Sequence, residues 1–363
     1  MAFDPIQEDC LRLILEAMRR ERVYPLDDAL FIERGMERFR EDPAQLITRD
    51  VDRSFHLMAR ATEILDYRVP FLQDEAAIER EEVRAENYLR EAVALDERNW
   101  DAHRMLNALR APSNDAYVSY LLDNREAVER DVMATIEAAD DVYSREYASD
   151  LAYRPLLRWL AALASRAVIA GQYRLALTVT EESLGIAPAD PADIRHTGML
   201  AMAKLEANAH DIKQYRSRHA IAYQIAGPLR RRHHVADRSP DAWTLLAEMC
   251  VAYRSFDYHG ADRALHMLMR VYPDAAQALF YQAEFPDGIY ARVNVEPGSQ
   301  DELILAISEA TPLLQEGIGT PDNACFSSWL AGHELVQRAL KERAASASGP
   351  AGAPGRGTAG GDN

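Results

Sequence analysis

Apolar residues recur every three or four positions along most of this chain, which is the spacing of amphipathic helices. In the first such stretch, Leu11, Leu15 and Met18 fall on one helical face. Similar stretches follow, separated by prolines and glycines, until about residue 342. A short β-prone run over 289–295 is the main interruption. The pattern therefore predicts an all-α fold.

The helices are expected to come in antiparallel pairs. Gly171 allows a tight turn after a helix that contains Leu160 and Ala164 and that is predicted to begin near residue 157. Ile194 and Gly198 stand 34 positions after Leu160 and Ala164. This period, with small residues where two helices cross closely, is typical of a tetratricopeptide repeat.

Further signals mark helix ends in the second half of the chain. Pro273 follows the last apolar residues of a pair that opens at Trp243, as expected where a helix stops. Ser299 and Glu302 have the spacing of a capping box, so a helix is predicted from there to about Glu316. Thr320-Pro321 is expected to start the last helix.

These signals divide the chain into three parts. Residues 1–70 are predicted to form an irregular N-terminal helical cap, and 71–342 a domain of tetratricopeptide-like repeats. Residues 343–363 are rich in Gly, Ala, Ser and Pro and should form a disordered tail. The predicted fold is a right-handed α-solenoid of about 14 to 16 helices, by analogy with stacked helical repeats.

Five segments, taken in order, carry a family resemblance: Glu91-Ala92-Val93, Tyr153-Arg154-Pro155-Leu156-Leu157-Arg158, Gly171-Gln172-Tyr173, the stretch from Ala187 to His196, and Glu296-Pro297-Gly298-Ser299. This succession resembles bacterial tetratricopeptide proteins related to the suppressor-of-tumorigenicity-seven family. The resemblance covers roughly Arg84 to Leu330. It implies an α-helical repeat protein with no established chemistry.

Charge and cysteine content narrow the functional classes. The formal net charge of the 363 residues is -17, which disfavours nucleic acids and anionic membranes as partners. Cys10, Cys250 and Cys325 form no CxxC pair, as expected in a reducing cytoplasm. The N-terminal stretch is amphipathic and does not predict a signal peptide. No uniformly apolar run is long enough for a membrane span.

The leading hypothesis is a non-catalytic scaffold or adaptor that binds a partner segment in a concave groove. Arginines on the groove would fix a partner's carboxylates through bidentate hydrogen bonds, and apolar side chains would supply contact area. The candidate groove residues are Arg104, Arg154, Arg158, Val168, Ile169, Arg195, Met199 and Met202. The alternative for the arginines is pairing with Asp or Glu of a neighbouring helix. The expected partner is another protein or peptide, possibly an acidic one.

A second hypothesis uses the basic island Leu229–His234. Arg230, Arg231 and Arg232 could bind an anion or RNA, but no aromatic residues are interleaved for base stacking. The alternative is a solvated loop or helix end.

A third hypothesis is an enzyme whose active site is assembled from residues remote in sequence. No HExxH, GxSxG, Walker-type or GxGxxG motif occurs, and the histidines lack the spacing of metal ligands. We therefore expect no catalytic activity, no cofactor and no metal.

Overall fold

Helices form almost the whole of the described chain. The computed structural model describes residues 4–23, 28, 30–138, 142–219, 222–224, 234–236, 241–281, 295, 298–314 and 326–347. Within these ranges lie seventeen α-helices: α1 (Pro5–Glu21), α2 (Phe31–Glu41), α3 (Asp50–Tyr67), α4 (Glu75–Leu95), α5 (Trp100–Arg110), α6 (Asn114–Glu137), α7 (Val142–Ile169), α8 (Tyr173–Ile186), α9 (Ile194–Lys204), α10 (Ala209–Arg218), α11 (Ala242–Arg254), α12 (Tyr258–Val271), α13 (Ala275–Tyr281), α14 (Gln300–Glu309), α15 (Thr311–Leu314), α16 (Phe326–Gly332) and α17 (Glu334–Ala347).

The remaining regular structure is small. Single 3-10 turns cover Pro43–Gln45 and Val69–Phe71. Two three-residue strands, β1 (Ala222–Gln224) and β2 (His234–Ala236), form an antiparallel ribbon in which Tyr223 faces Val235. The sequence did not predict this ribbon.

Helices pack against their neighbours in the chain, as the predicted pairing requires. The most extensive contacts join α3 to α4, α6 to α7, α7 to α8, α8 to α9 and α11 to α12. Alternate helices also meet, since α7 contacts both α5 and α9, and α11 contacts α9; α11 also contacts α14, three helices further along the chain. The largest apolar core surrounds α11, whose residues from Ala242 to Ala252 are all buried except Glu248.

Small residues sit where helices cross, as the repeat pattern predicted. Ala164 is fully buried. A Cβ on Gly198 would fall 2.2 Å from the Tyr215 hydroxyl oxygen and 2.6 Å from Thr180 Cγ2. Since real Cβ atoms do not approach other atoms so closely, only glycine fits here without movement of its neighbours.

Four helix ends share one turn geometry. After α1, α7, α9 and α11, the residues Arg22, Gly171, Glu206 and Phe256 have φ of 54°, 75°, 60° and 60°. In each case the next amide donates to a carbonyl five positions back: Val23 to Met18, Gln172 to Ala167, Ala207 to Met202, and Asp257 to Ala252. This is a Schellman-type ending, in which glycine is the preferred left-handed residue. Gly171 meets that preference, and the other three residues do not.

The predicted capping box is confirmed at α14. The Ser299 hydroxyl accepts a hydrogen bond from the Glu302 amide at 3.1 Å, and the helix begins at Gln300. The Glu302 carboxylate accepts from the Gly298 amide and, at 3.0 Å, from the Tyr272 hydroxyl. These bonds attach the start of α14 to the end of α12.

Several predicted helix boundaries differ from the observed ones. α7 begins at Val142, not near residue 157, and continues through Pro155 inside the helix. The helix expected to run from Ser299 to Glu316 is broken at Ala310. Pro312 explains the break, because it has no amide hydrogen to donate to Ser308 and its ring crowds that carbonyl. α17 extends to Ala347, into the predicted tail.

Some predictions fall outside the described residues. These are the β-prone run over 289–295 apart from Val295, the helix start at Thr320-Pro321, and most of the tail.

The N-terminal helix is an integral part of this assembly. α1 packs on α3 and α2 and buries Leu13, Ile14, Ala17 and Met18. Its polar residue Glu8 is also buried, and points to partners on α7.

Candidate partner-binding site

A cluster of charged side chains joins α1, α5 and α7. Arg158 on α7 donates from Nη1 to Glu8 Oε2 at 2.7 Å and from Nε to Asp101 Oδ1 at 2.8 Å. Glu8 comes from α1 and Asp101 from α5, so one guanidinium holds three helices together. Both carboxylates are almost inaccessible to solvent, and 15% of the Arg158 side chain is exposed.

Three more arginines complete this arginine cluster, which we define as Arg12, Arg104, Arg154 and Arg158 around Glu8 and Asp101. Arg12 and Arg154 lie 2.8 Å and 3.5 Å from Glu8, and Arg104 lies 3.4 Å from Asp101. Between 15% and 29% of each arginine side chain remains exposed.

The local field controls the ionisation of the cluster. Burial alone would raise the pKa of Glu8, but the charges of Arg158 and Arg12 outweigh it and hold that pKa below its usual value. Burial opposes ionisation of Asp101 in the same way, and Arg158 again lowers the pKa overall. Burial would lower the pKa of Arg158, yet Asp101 and Glu8 raise it well above the usual value. All three groups are therefore charged at neutral pH.

Guanidinium groups are concentrated in the cluster. Four of them lie around Glu8 and Asp101, in a chain of net charge -17. The nearby Asp9 is bonded to His56 at 2.7 Å, and burial raises its pKa. The Nε of Arg104 is buried and has no hydrogen-bond partner among the described residues. Guanidinium groups that are partly exposed can form charge-assisted hydrogen bonds to a further carboxylate.

The structure brings together three of the four predicted arginines. Arg104, Arg154 and Arg158 meet in the cluster, whereas Arg195 lies at the start of α9 and pairs with Asp190 and Asp193, both at 3.1 Å. Each of the four thus has a carboxylate partner within the chain. The partner lies on a neighbouring helix, as the alternative interpretation expected, for Arg154 and Arg158, whereas Arg104 pairs within α5 and Arg195 with residues that precede α9.

The predicted apolar groove residues are divided between core and surface. Val168 and Met199 are buried in two different apolar clusters. Met202 is half-buried, and Ile169 is 46% exposed. Of these four, Ile169 offers the most surface to a partner.

An accessible stripe follows one face of α7 from the arginine cluster to Ile169. Residues eleven positions apart return to the same side of a helix, about 16 Å further along its axis. Arg158 and Ile169 have this spacing, and Ala161, Ala162 and Ser165 between them are half-buried or exposed. We call this surface the α7 stripe. It presents guanidinium groups at one end and an apolar side chain at the other.

Sequence reasoning missed Glu8 and Asp101. Each is an acidic residue within a helix that packs on the core, which is a signal for a buried ion pair. The partners could not be chosen from sequence, because Glu8 and Arg158 are 150 positions apart.

The basic island lies outside the described residues. Arg230, Arg231 and Arg232 fall between β1 and β2 in sequence, and their anion-binding role stays a prediction.

Over the described ranges, no group of three or more His, Cys, Asp or Glu side chains is placed to hold a metal ion. No described helix combines the length and apolar character needed to cross a bilayer.

Comparison with protein-family models, with curated proteins and with solved structures found no match.

Proposed function

We propose that this chain is a non-catalytic protein-interaction scaffold that binds a partner segment along the α7 stripe. A carboxylate of the segment enters the arginine cluster, and an apolar side chain packs on Ile169. The observation that carries the proposal is the grouping of four partly exposed guanidinium groups at one end of an accessible helix face. Arg12, Arg104 and Arg154, whose side chains are partly exposed to solvent, bind the partner. Arg158 remains bonded to Glu8 and Asp101.

The spacing of the stripe defines the partner. About 16 Å corresponds to eleven residues of a helix or about five residues of an extended strand. The partner segment therefore carries an acidic residue and a large apolar residue at one of these separations. The charged contact fixes the position of the partner segment along the stripe and speeds its association. The apolar contact supplies most of the affinity.

The architecture we propose is a right-handed α-solenoid of tetratricopeptide-like pairs, similar to bacterial relatives of the suppressor-of-tumorigenicity-seven family. It is supported by the contacts between successive helices and by those between alternate ones, α5 with α7, α7 with α9 and α9 with α11. Stacked helical repeats commonly act through extended binding surfaces, in agreement with a scaffold role.

The test is affinity capture with wild type, Ile169→Glu and Ile186→Glu. Ile186 is a matched control, since it is an isoleucine at the end of the next helix and is 37% exposed. We expect a partner that is captured by wild type and by Ile186→Glu but lost with Ile169→Glu. Circular dichroism checks that the helices are intact. Equal capture by all three folded proteins would refute the α7 stripe as the site.

A further inference from the structure

A second exposed surface lies at the turn between α11 and α12 and at α16. Four aromatic side chains form it: Phe256, Tyr258, Tyr253 and Trp329, which we call the aromatic strip. Their ring centroids are 6.4 Å apart for Phe256 and Tyr258, 5.7 Å for Tyr258 and Tyr253, and 5.2 Å for Tyr253 and Trp329. Phe256 is 79% exposed and Tyr258 is 50% exposed.

The backbone at Phe256 is unfavourable for the residue it carries. Its φ of 60° lies in the left-handed region, where the equivalent turns carry Gly171 after α7 but Arg22 after α1 and Glu206 after α9, so that Phe256 is the one aromatic residue among these four. A bulky residue is disfavoured there, and strain of this kind persists where the surroundings or a function demand it. Packing does not supply the reason, because most of the ring is in solvent.

The equivalent turn after α7 shows what such an aromatic position binds. Tyr173 follows Gly171 by two residues and opens α8, just as Tyr258 follows Phe256 and opens α12. The Lys204 ammonium lies 5.2 Å from the centroid of the Tyr173 ring, within the range of a cation–π contact. The chain thus contains one internal example of a cation on this tyrosine position.

Negative charge lies beside the aromatic strip. Asp257 follows Phe256 directly, and its side chain is about half exposed. Asp262 is 3.3 Å from His333, whose ring lies 4.9 Å from that of Trp329. Arg263 is the nearest cation to Asp257, at 3.9 Å. Aromatic faces bordered by carboxylates attract a cation from solution, and the net charge of -17 adds to that attraction.

From these contacts we infer that the aromatic strip is a docking site for an arginine- or lysine-bearing segment of another protein. The cationic side chain stacks on Phe256 and Tyr258, and Asp257 and Asp262 attract its charge. The Phe256 ring stands at 76° to that of Tyr258, so it adds a second aromatic wall beside the tyrosine for the cation to contact. The ligand is opposite in charge to the one proposed for the α7 stripe.

Phe256→Gly separates binding from folding. It removes the exposed ring, leaves the net charge unchanged, and places the preferred residue in the left-handed turn. Phe71→Ala is the control, because Phe71 is also exposed, at 67%, and lies before α4. The probe is a fluorescein-labelled Gly-Ser peptide that carries arginines, compared with the same peptide carrying neutral citrullines.

Fluorescence anisotropy should show that the arginine peptide binds wild type and Phe71→Ala equally and the citrulline peptide less tightly. Phe256→Gly should bind the arginine peptide at least about fivefold more weakly, as expected for loss of a cation–π contact. Asp262→Asn should also weaken it. Equal binding by wild type and Phe256→Gly would show attraction by net charge alone and overturn the proposal, as would no preference for arginine over citrulline.

Two further outcomes would assign the strip to another occupant. If Arg356→Gln raises the affinity of wild type for the peptide, the chain's own C-terminal segment competes for the strip. If sedimentation shows a wild-type dimer that Phe256→Gly abolishes, the occupant is a second copy of the chain. Either result would overturn the assignment to another protein.

Discussion

Replacement of Arg158 by methionine should cause a large loss of stability. The side chain is mostly buried, and its guanidinium is bonded to both Glu8 and Asp101. Methionine fills similar space but leaves two desolvated carboxylates with fewer positive neighbours. Removal of one partner from a buried ion pair costs about 3–5 kcal/mol. We expect the free energy of unfolding to fall by about this amount.

Urea unfolding followed by far-ultraviolet circular dichroism measures this loss. Arg60→Met is the control, because Arg60 pairs with Glu63 on the surface of α3 and 39% of its side chain is exposed. Exposed pairs contribute at most about 1 kcal/mol. If Arg158→Met loses no more stability than Arg60→Met, the guanidinium of Arg158 does not hold α1, α5 and α7 together as argued.

The same variant should change the response to acid. Arg158 lowers the pKa values of Glu8 and Asp101 below their usual 4.5 and 3.8. A carboxyl whose pKa is lower in the folded state stabilises the fold above its unfolded pKa and loses that contribution as pH falls through the folded value. Wild type should therefore lose stability as pH falls below about 4.5. Arg158→Met should lose less stability over that pH range. An unchanged slope of the free energy of unfolding against pH would contradict this origin of the pKa shifts.

Other substitutions test the packing, the turns and a buried histidine. Gly198→Ala should reduce the free energy of unfolding by about 1–3 kcal/mol through overpacking, whereas Gly185→Ala, where a Cβ meets no atom within 4 Å, should be neutral or stabilising in the same urea assay. Gly171→Ala should lose about 1–2 kcal/mol because its φ is 75°, and a loss near zero would refute that reading. Burial lowers the pKa of His196, which stacks on Trp243, so stability should decline as pH falls below about 6.5; His196→Gln should remove that slope, and an equal slope would assign it to other groups.

Local chemistry explains which parts of the fold could be predicted from sequence. Gly171 and the Ser299 capping box act through residues a few positions away, so their patterns are visible in the chain. The small residue at Gly198 was predictable because close helix crossings repeat with the period of the pair. The start of α7 was predicted about fifteen residues too late, because the repeat pattern marks Leu160 and Ala164 but carries no signal for a helix that continues N-terminally through Pro155.

The arginine cluster was only partly predictable for a physical reason. Helical periodicity placed Arg158 on a face of α7, but it carries no information about which distant carboxylate reaches that face. Glu8 lies 150 positions before Arg158 in the sequence, on a helix that the sequence pattern assigns only to an irregular cap. The left-handed backbone at Phe256 was still harder to predict, since glycine is the residue preferred in this turn and phenylalanine gives no sign of it.

The two proposed surfaces can be tested for a common partner by combining variants. Ile169 ends α7 and Phe256 follows α11, so the two substitutions alter different helix ends, and we expect them to act independently on each surface. One partner that engages both surfaces binds through two linked contacts, so either single substitution should remove the avidity and the double variant should lose little more. Two separate partners would each respond to one substitution only. The opposite charges of the surfaces favour a single partner that carries both an acidic and a basic segment, because such a partner would be held in one orientation.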